Sequence, residues 1–191
     1  MNLRILASFI SWLFEPMIVL FVLCMLAGWH YGLTGWAMST YSVYVSVFTI
    51  LIGVTRYILA KRSKTNWDLS DRKKRVMPLF VLTGIFCANL AVINLFGIDS
   101  LVRYFGLWLV SIIGFSVLTT RIKISGHLSV LTMAVATIIA WYGIWTAPIL
   151  VIIPLVSWSR IALGRHTQVE VVGGIMYAVL MVLLGNAWAV W

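Results

Sequence analysis

Acidic residues are scarce in this chain. Its 191 residues include five Asp and Glu against fourteen Lys and Arg, and charged residues of both signs make up only 10%. Ordinary soluble domains carry about 25% charged and roughly 45–50% apolar residues. Here 62% are hydrophobic, and the mean hydropathy is +1.04. A soluble globular domain is therefore excluded. So is disorder, which needs few apolar residues and many charges. Cysteine is nearly absent: Cys24 and Cys87 both lie inside apolar runs, where small buried hydrophobes are expected and a disulfide is not. The chain lacks internal repeats, low-complexity tracts and the alternating ten-residue segments of a membrane β-barrel.

Long apolar runs are what the chain has. They predict an all-α, polytopic transmembrane bundle forming a single integral-membrane domain over 1–191, with about seven spans and a six-span core as the smaller possibility. The spans are expected near 5–28, 40–60, 78–97, 101–120, 127–146, 148–163 and 171–190. The first run is long and contains Glu15-Pro16, so it reads as a retained span rather than a cleaved signal. The sixth holds Pro148 and Pro154 and ends in Ser159-Arg160, so it is expected to be short or kinked.

Seven spans sort the formal charge of +9. Arg4 stands on the first side. The second span exits there into Lys61-Arg62-Ser63-Lys64 and Asp71-Arg72-Lys73-Lys74-Arg75, the fourth into Arg121 and Lys123, and the sixth into Arg160 and Arg165. The opposite side keeps Asp99 and Arg103 and gathers Trp29, Trp36, Trp141, Trp145, Trp188 and Trp191, the composition of an interfacial aromatic belt. One span more or fewer would scatter the cations. The positive-inside rule assigns the basic face to the cytoplasm of a cell membrane.

Three segments on the basic face carry chemistry. Lys123-Ile124-Ser125-Gly126-His127 opens a helix, whose exposed N–H groups and dipole suit an anion. The plainer reading is a Ser-capped helix start with a snorkelling lysine. The second segment runs from Ser159-Arg160 to His166 and Glu170. Glu170 is four residues past His166, so on a helix the two would share a face, and it is the only acidic residue after Asp99. A carboxylate at that spacing fixes the imidazole tautomer and makes the other nitrogen a nucleophile, whereas an interfacial salt bridge would need no more than a nearby Arg. The third segment is the basic loop 61–75, in which Arg72 and Arg75 are three apart and suit a phosphate. Anchoring to anionic lipid head groups would account for the same composition. Asp68 and Asp71 form an Asp-x-x-Asp pair of the kind that holds Mg²⁺ for diphosphate chemistry.

Taken together, these segments resemble the type 2 phosphatidic acid phosphatase superfamily of membrane lipid phosphatases. Its second motif, Pro-Ser-Gly-His, is matched by Ile124-Ser125-Gly126-His127. Its third, Ser-Arg, five residues, His, three residues, Asp, is matched by Ser159-Arg160, five residues, His166, three residues, Glu170. Proline is replaced by Ile124, and the last aspartate by Glu170. The first motif, Lys, six residues, Arg-Pro, is not met: Asp68 stands at the lysine position counted back from Arg75, and the proline comes late, at Pro78. Two spans precede Ser125 as an added hairpin relative to six-span members.

The resemblance implies a metal-independent phosphatase, with no cofactor, acting on membrane lipids. His166 would attack phosphorus and become a phosphohistidine. Glu170 would orient His166, and His127 would protonate the leaving group and then activate water. Arg72, Arg75, Lys123, Arg160 and the backbone at Ser125-Gly126 would hold the phosphoryl oxygens. The substrate class is a lipid phosphate or diphosphate in the bilayer, a polyprenyl phosphate or diphosphate ahead of phosphatidic acid or phosphatidylglycerol phosphate; nucleic acid is not an expected partner. Three rivals remain open: a non-catalytic lipid-binding or transport protein with a decayed site, a phosphotransferase using the same phosphohistidine, and a Mg²⁺-dependent prenyl-transferring enzyme built on Asp68 and Asp71.

Overall fold

The computed structural model describes residues 3–62 and 72–191 and is helical throughout, with no strand among the described residues. In chain order the helices are α1 (Leu3–Leu13), α2 (Pro16–His30), α3 (Gly35–Arg62), α4 (Arg72–Asn94), α5 (Asp99–Arg121), α6 (Gly126–Tyr142), a 3₁₀ segment (Ile144–Val151), α7 (Ile152–Ala162) and α8 (Gln168–Ala187). An all-helical chain is what lipid imposes, because each helix satisfies its own backbone N–H and C=O groups. Among the described residues, six stretches are long and apolar enough to cross a membrane: Leu3–His30, Gly35–Arg62, Lys73–Asn94, Asp99–Arg121, Ile144–Ala162 and Gln168–Ala187. The remaining expected span, 127–146, is the shorter α6, 17 residues long. At 1.5 Å per residue it covers about 25 Å, the lower limit for a hydrocarbon core.

Boundaries follow local chemistry. The first span is broken at Glu15-Pro16. Proline is tolerated at the first position of a helix, where its missing N–H costs nothing, and Pro16 opens α2. The Glu15 carboxylate accepts from the Met17 N–H at 2.6 Å, so a buried acid caps the positive end of α2. The expected start of the third span at Pro78 is moved: α4 begins at Arg72 and carries Pro78 in its seventh position. The basic residues extend the helix beyond the apolar run. The expected sixth span is divided into the 3₁₀ segment containing Pro148 and then α7, the tightening expected where proline removes a donor.

The chain divides into two compact units. The first comprises 1–23, 124–189 and Trp191; the second comprises 24–123 and Val190. In the first, α6 packs on α8, α1 on α7, and α7 on both α6 and α8. Ile10, Leu128, Leu131, Val135, Val156 and Val171 form its buried core.

The second unit pairs α4 with α5 and α3 with α4. Polar side chains tie its helices together. Tyr41 donates to the Cys24 carbonyl at 2.7 Å, Tyr44 to Asn89 Oδ1 at 2.6 Å, and Thr83 and Ser116 hydroxyls stand 3.2 Å apart. In lipid, such interhelical bonds contribute about 0.6 kcal/mol on average and close packing carries the rest. Gly28 supplies that closeness by lying directly against the Tyr41 ring. Cys24 is half-buried here and Cys87 lies on the exposed surface of α4, so the expectation that both are buried holds only in part.

Candidate active site

The candidate site lies in the first unit and is built on the joint between α7 and α8. After Ala162 the chain leaves α7 through Gly164, whose φ of +65° is strained for any residue with a Cβ. The Gly164 N–H donates to the Ile161 carbonyl at 2.9 Å and the Arg165 N–H to the Arg160 carbonyl at 3.1 Å. These are the two bonds of a Schellman helix end. The His166 N–H also reaches the Arg160 carbonyl, at 3.4 Å. The five residues between Arg160 and His166 thus have a physical meaning: they are the length of one helix termination, which holds His166 over the end of α7.

The three residues between His166 and Glu170 are a helix start. Thr167 caps α8; its Oγ1 accepts from the Glu170 N–H, and the Thr167 N–H donates to Glu170 Oε2, both at 3.3 Å. This reciprocal pair is a capping box. The same Oε2 lies 2.8 Å from His166 Nδ1. His166 precedes the helix, so the contact arises because Glu170 reaches back over the cap, not because the two side chains share a helical face. The His166 side chain is 4% exposed and that of Glu170 is 17% exposed. An ionised carboxylate can only accept, so this contact favours the tautomer with the proton on Nδ1 and the lone pair on Nε2.

The start of α6 is fastened to the start of α8. The Ser125 N–H donates to the Glu170 main-chain oxygen at 2.9 Å. Ser125 Oγ caps α6 by accepting from the Leu128 N–H at 3.5 Å, and Ser129 Oγ lies within bonding distance of both the Ser125 and Gly174 carbonyls, at 3.0 and 3.2 Å. Such proximity needs two glycines. A Cβ on Gly174 would stand 2.5 Å from the Ser125 oxygen, and one on Gly173 would stand 2.8 Å from Ile124 Cγ2. His127 is buried at the second position of α6, two residues beyond this joint. Ser125 is wholly buried. Its N–H, expected among the phosphate donors, is instead used to join the two helices.

Arg160, in the last turn of α7, is 3% exposed. A cation there meets the negative end of the helix dipole. Its Nη1 donates to Ser11 Oγ of α1 at 2.7 Å. Bonds of this charged kind contribute about 1.5–3 kcal/mol.

The other expected phosphate ligands belong to the second unit. Lys123 is half-buried at its edge. The Arg75 guanidinium lies 5.6 Å from the centre of the Phe115 ring, a cation–π arrangement. Arg72 is the first residue of α4. Asp68 and Asp71 lie outside the described residues. Among the described residues, no group of three His, Cys, Asp or Glu stands close enough to hold a metal ion. Sequence reasoning missed Ser11, Gly164, Thr167 and Gly174. A glycine just past an apolar run and a threonine three before a glutamate are recognisable helix stop and start signals; Ser11, one of two serines in the apolar run of α1, has none.

No protein-family model matches the chain, and neither a curated protein nor a solved structure matches it.

Proposed function

We propose that the chain is a membrane-embedded phosphatase of the type 2 phosphatidic acid phosphatase kind, hydrolysing a lipid phosphate or diphosphate through a phosphohistidine. The observation that carries the reading is the 2.8 Å contact between His166 Nδ1 and Glu170 Oε2, formed on the turn that Arg160 terminates. His166 Nε2 attacks phosphorus and the bond from phosphorus to the leaving oxygen breaks. Glu170 stabilises the imidazolium charge that develops. His127 gives its proton to the leaving oxygen, then takes one from the water that cleaves the phosphorus–nitrogen bond and releases phosphate. The Arg160 guanidinium offsets charge on the phosphoryl oxygens, and the positive end of α6 at Gly126 adds to it.

The reading rests on the residues of the first unit. The proposed chemistry uses side chains and helix ends, without a cofactor. The substrate is an amphiphile whose phosphate lies at head-group depth, and a polyprenyl phosphate or diphosphate is placed first because no glycerol-recognition element is evident among the described residues. The positive-inside bias puts the site at the cytoplasmic face of the cell membrane. The test is phosphate release by the purified full chain in detergent from a panel of polyprenyl and glycerolipid phosphates. Release by the wild type and none by folded His166→Ala is expected; release at an undiminished rate by that variant removes the proposed nucleophile.

A further inference from the structure

We infer that Ser11 of α1 is a positioning residue for the phosphoryl group, acting through Arg160. The inference rests on the phosphatase reading above and extends the site to a helix that none of the motifs touches.

Residue Arg160 has two tasks in the first unit. Its main-chain oxygen receives the Arg165 and His166 N–H groups, which sets where the imidazole stands. Its side chain, rooted on the same residue, is held by Ser11 Oγ at 2.7 Å. A guanidinium is a rigid planar fork of five donors, so fixing Nη1 constrains the plane and with it the directions of the other donors. The imidazole and the guanidinium are thereby registered to a single point, the last turn of α7. A misplacement of about 1 Å in such a group is enough to cost a hundredfold in rate.

The seat is built into the buried face of α1. Ala7, Ile10 and Ser11 are its buried residues, spaced three and four apart along the stripe a helix presents to a neighbour, and α1 packs against α7. Ser11 is 7% exposed and Arg160 is 3% exposed. A hydroxyl on this face of an apolar helix is disfavoured unless it is bonded, and here its acceptor lone pair is matched to a cation. A mere tie between α1 and α7 would use the same bond, so the two roles must be separated by what they do to anion binding.

The test uses the purified full chain and three variants at one position. Ser11→Ala removes only the hydroxyl. Ser11→Thr keeps it, and Ser11→Val has the shape of the threonine variant without the oxygen. The readouts are KM and kcat for the lipid phosphate the wild type hydrolyses, the inhibition constant of inorganic phosphate, and the thermal unfolding midpoint. Ser11→Ala and Ser11→Val are expected to raise KM and the phosphate inhibition constant about tenfold, the loss of one hydrogen bond to a charge. Ser11→Thr should restore both to within about twofold of wild type. In an Arg160→Ala background, Ser11→Ala should add nothing further.

Equal inhibition constants in the threonine and valine variants overturn the inference while leaving the phosphatase reading intact. So does a fall in unfolding midpoint with unchanged phosphate inhibition, the mark of a purely structural tie. A wild-type chain that releases no phosphate from any lipid phosphate overturns both.

Discussion

Replacing Glu170 with glutamine separates its two tasks, because only one of them needs a charge. As the third residue of α8 it closes a capping box with Thr167, and glutamine serves there as well as glutamate. As the partner of His166 it places a full negative charge 2.8 Å from Nδ1. A hydrogen bond to a charged group contributes about 1.5–3 kcal/mol and a neutral one about 0.5–1.5. The difference of about 1–1.5 kcal/mol corresponds to roughly a tenfold change in rate at 1.36 kcal/mol per decade. The loss should appear when positive charge develops on the attacking imidazole, so kcat falls about tenfold and KM stays within about twofold. The cap survives, so the thermal midpoint should move by no more than about 2–4 °C. Steady-state phosphate release and thermal unfolding of the same detergent preparation provide all three numbers. Unchanged kcat in a folded Glu170→Gln protein would refute the role of the charge. A raised KM with unchanged kcat would move Glu170 from the chemical step to substrate binding.

Other perturbations test neighbouring parts of the account. Gly174→Ala should lower the unfolding midpoint and activity together, because its Cβ meets the Ser125 carbonyl at 2.5 Å and backbone has little room to yield; a loss of about 1–3 kcal/mol is expected. Gly173→Ala, which meets a methyl of Ile124, should cost less, and the reverse order would show that the joint between α6 and α8 is not what matters. Activity should persist in excess EDTA; loss that Mg²⁺ restores would favour the rival chemistry of Asp68 and Asp71. A C-terminal tag on cells should be accessible from outside, and a tag protected until the cells are opened would reverse the proposed orientation.

Much of the fold is legible because lipid leaves few choices. Apolar runs locate the six long spans, and Glu15-Pro16 and Pro148 locate the departures from regular helix. Boundaries are less legible where charge extends a helix past its apolar part, as in Arg72-Lys73-Lys74-Arg75 at the head of α4. In the candidate site, the spacing from Arg160 through His166 to Glu170 is visible, but its cause is not: one helix ends through Gly164 and the next begins at Thr167. The sequence pairs His166 with Glu170 as neighbours on a helical face, whereas the structure pairs them across a cap. Ser11 is illegible because α1 carries two serines, Ser8 exposed and Ser11 buried, and the sequence does not say which of them meets a guanidinium 149 positions away.

The central claim is that His166 carries the phosphoryl group. Its most direct test is to quench the full chain during turnover with the lipid phosphate it hydrolyses, under alkaline conditions that preserve phosphoramidates, and locate the modification by peptide mass spectrometry. The His127→Ala variant should be run beside it, because the group proposed to serve both the leaving oxygen and the attacking water sets how fast the phosphohistidine forms and how fast it is cleaved. The account predicts a single phosphoryl group on the peptide containing His166, and slower decay of that group in His127→Ala than in wild type once substrate is removed. Turnover with phosphate on another residue, or sustained turnover with none on His166 in either protein, would contradict it.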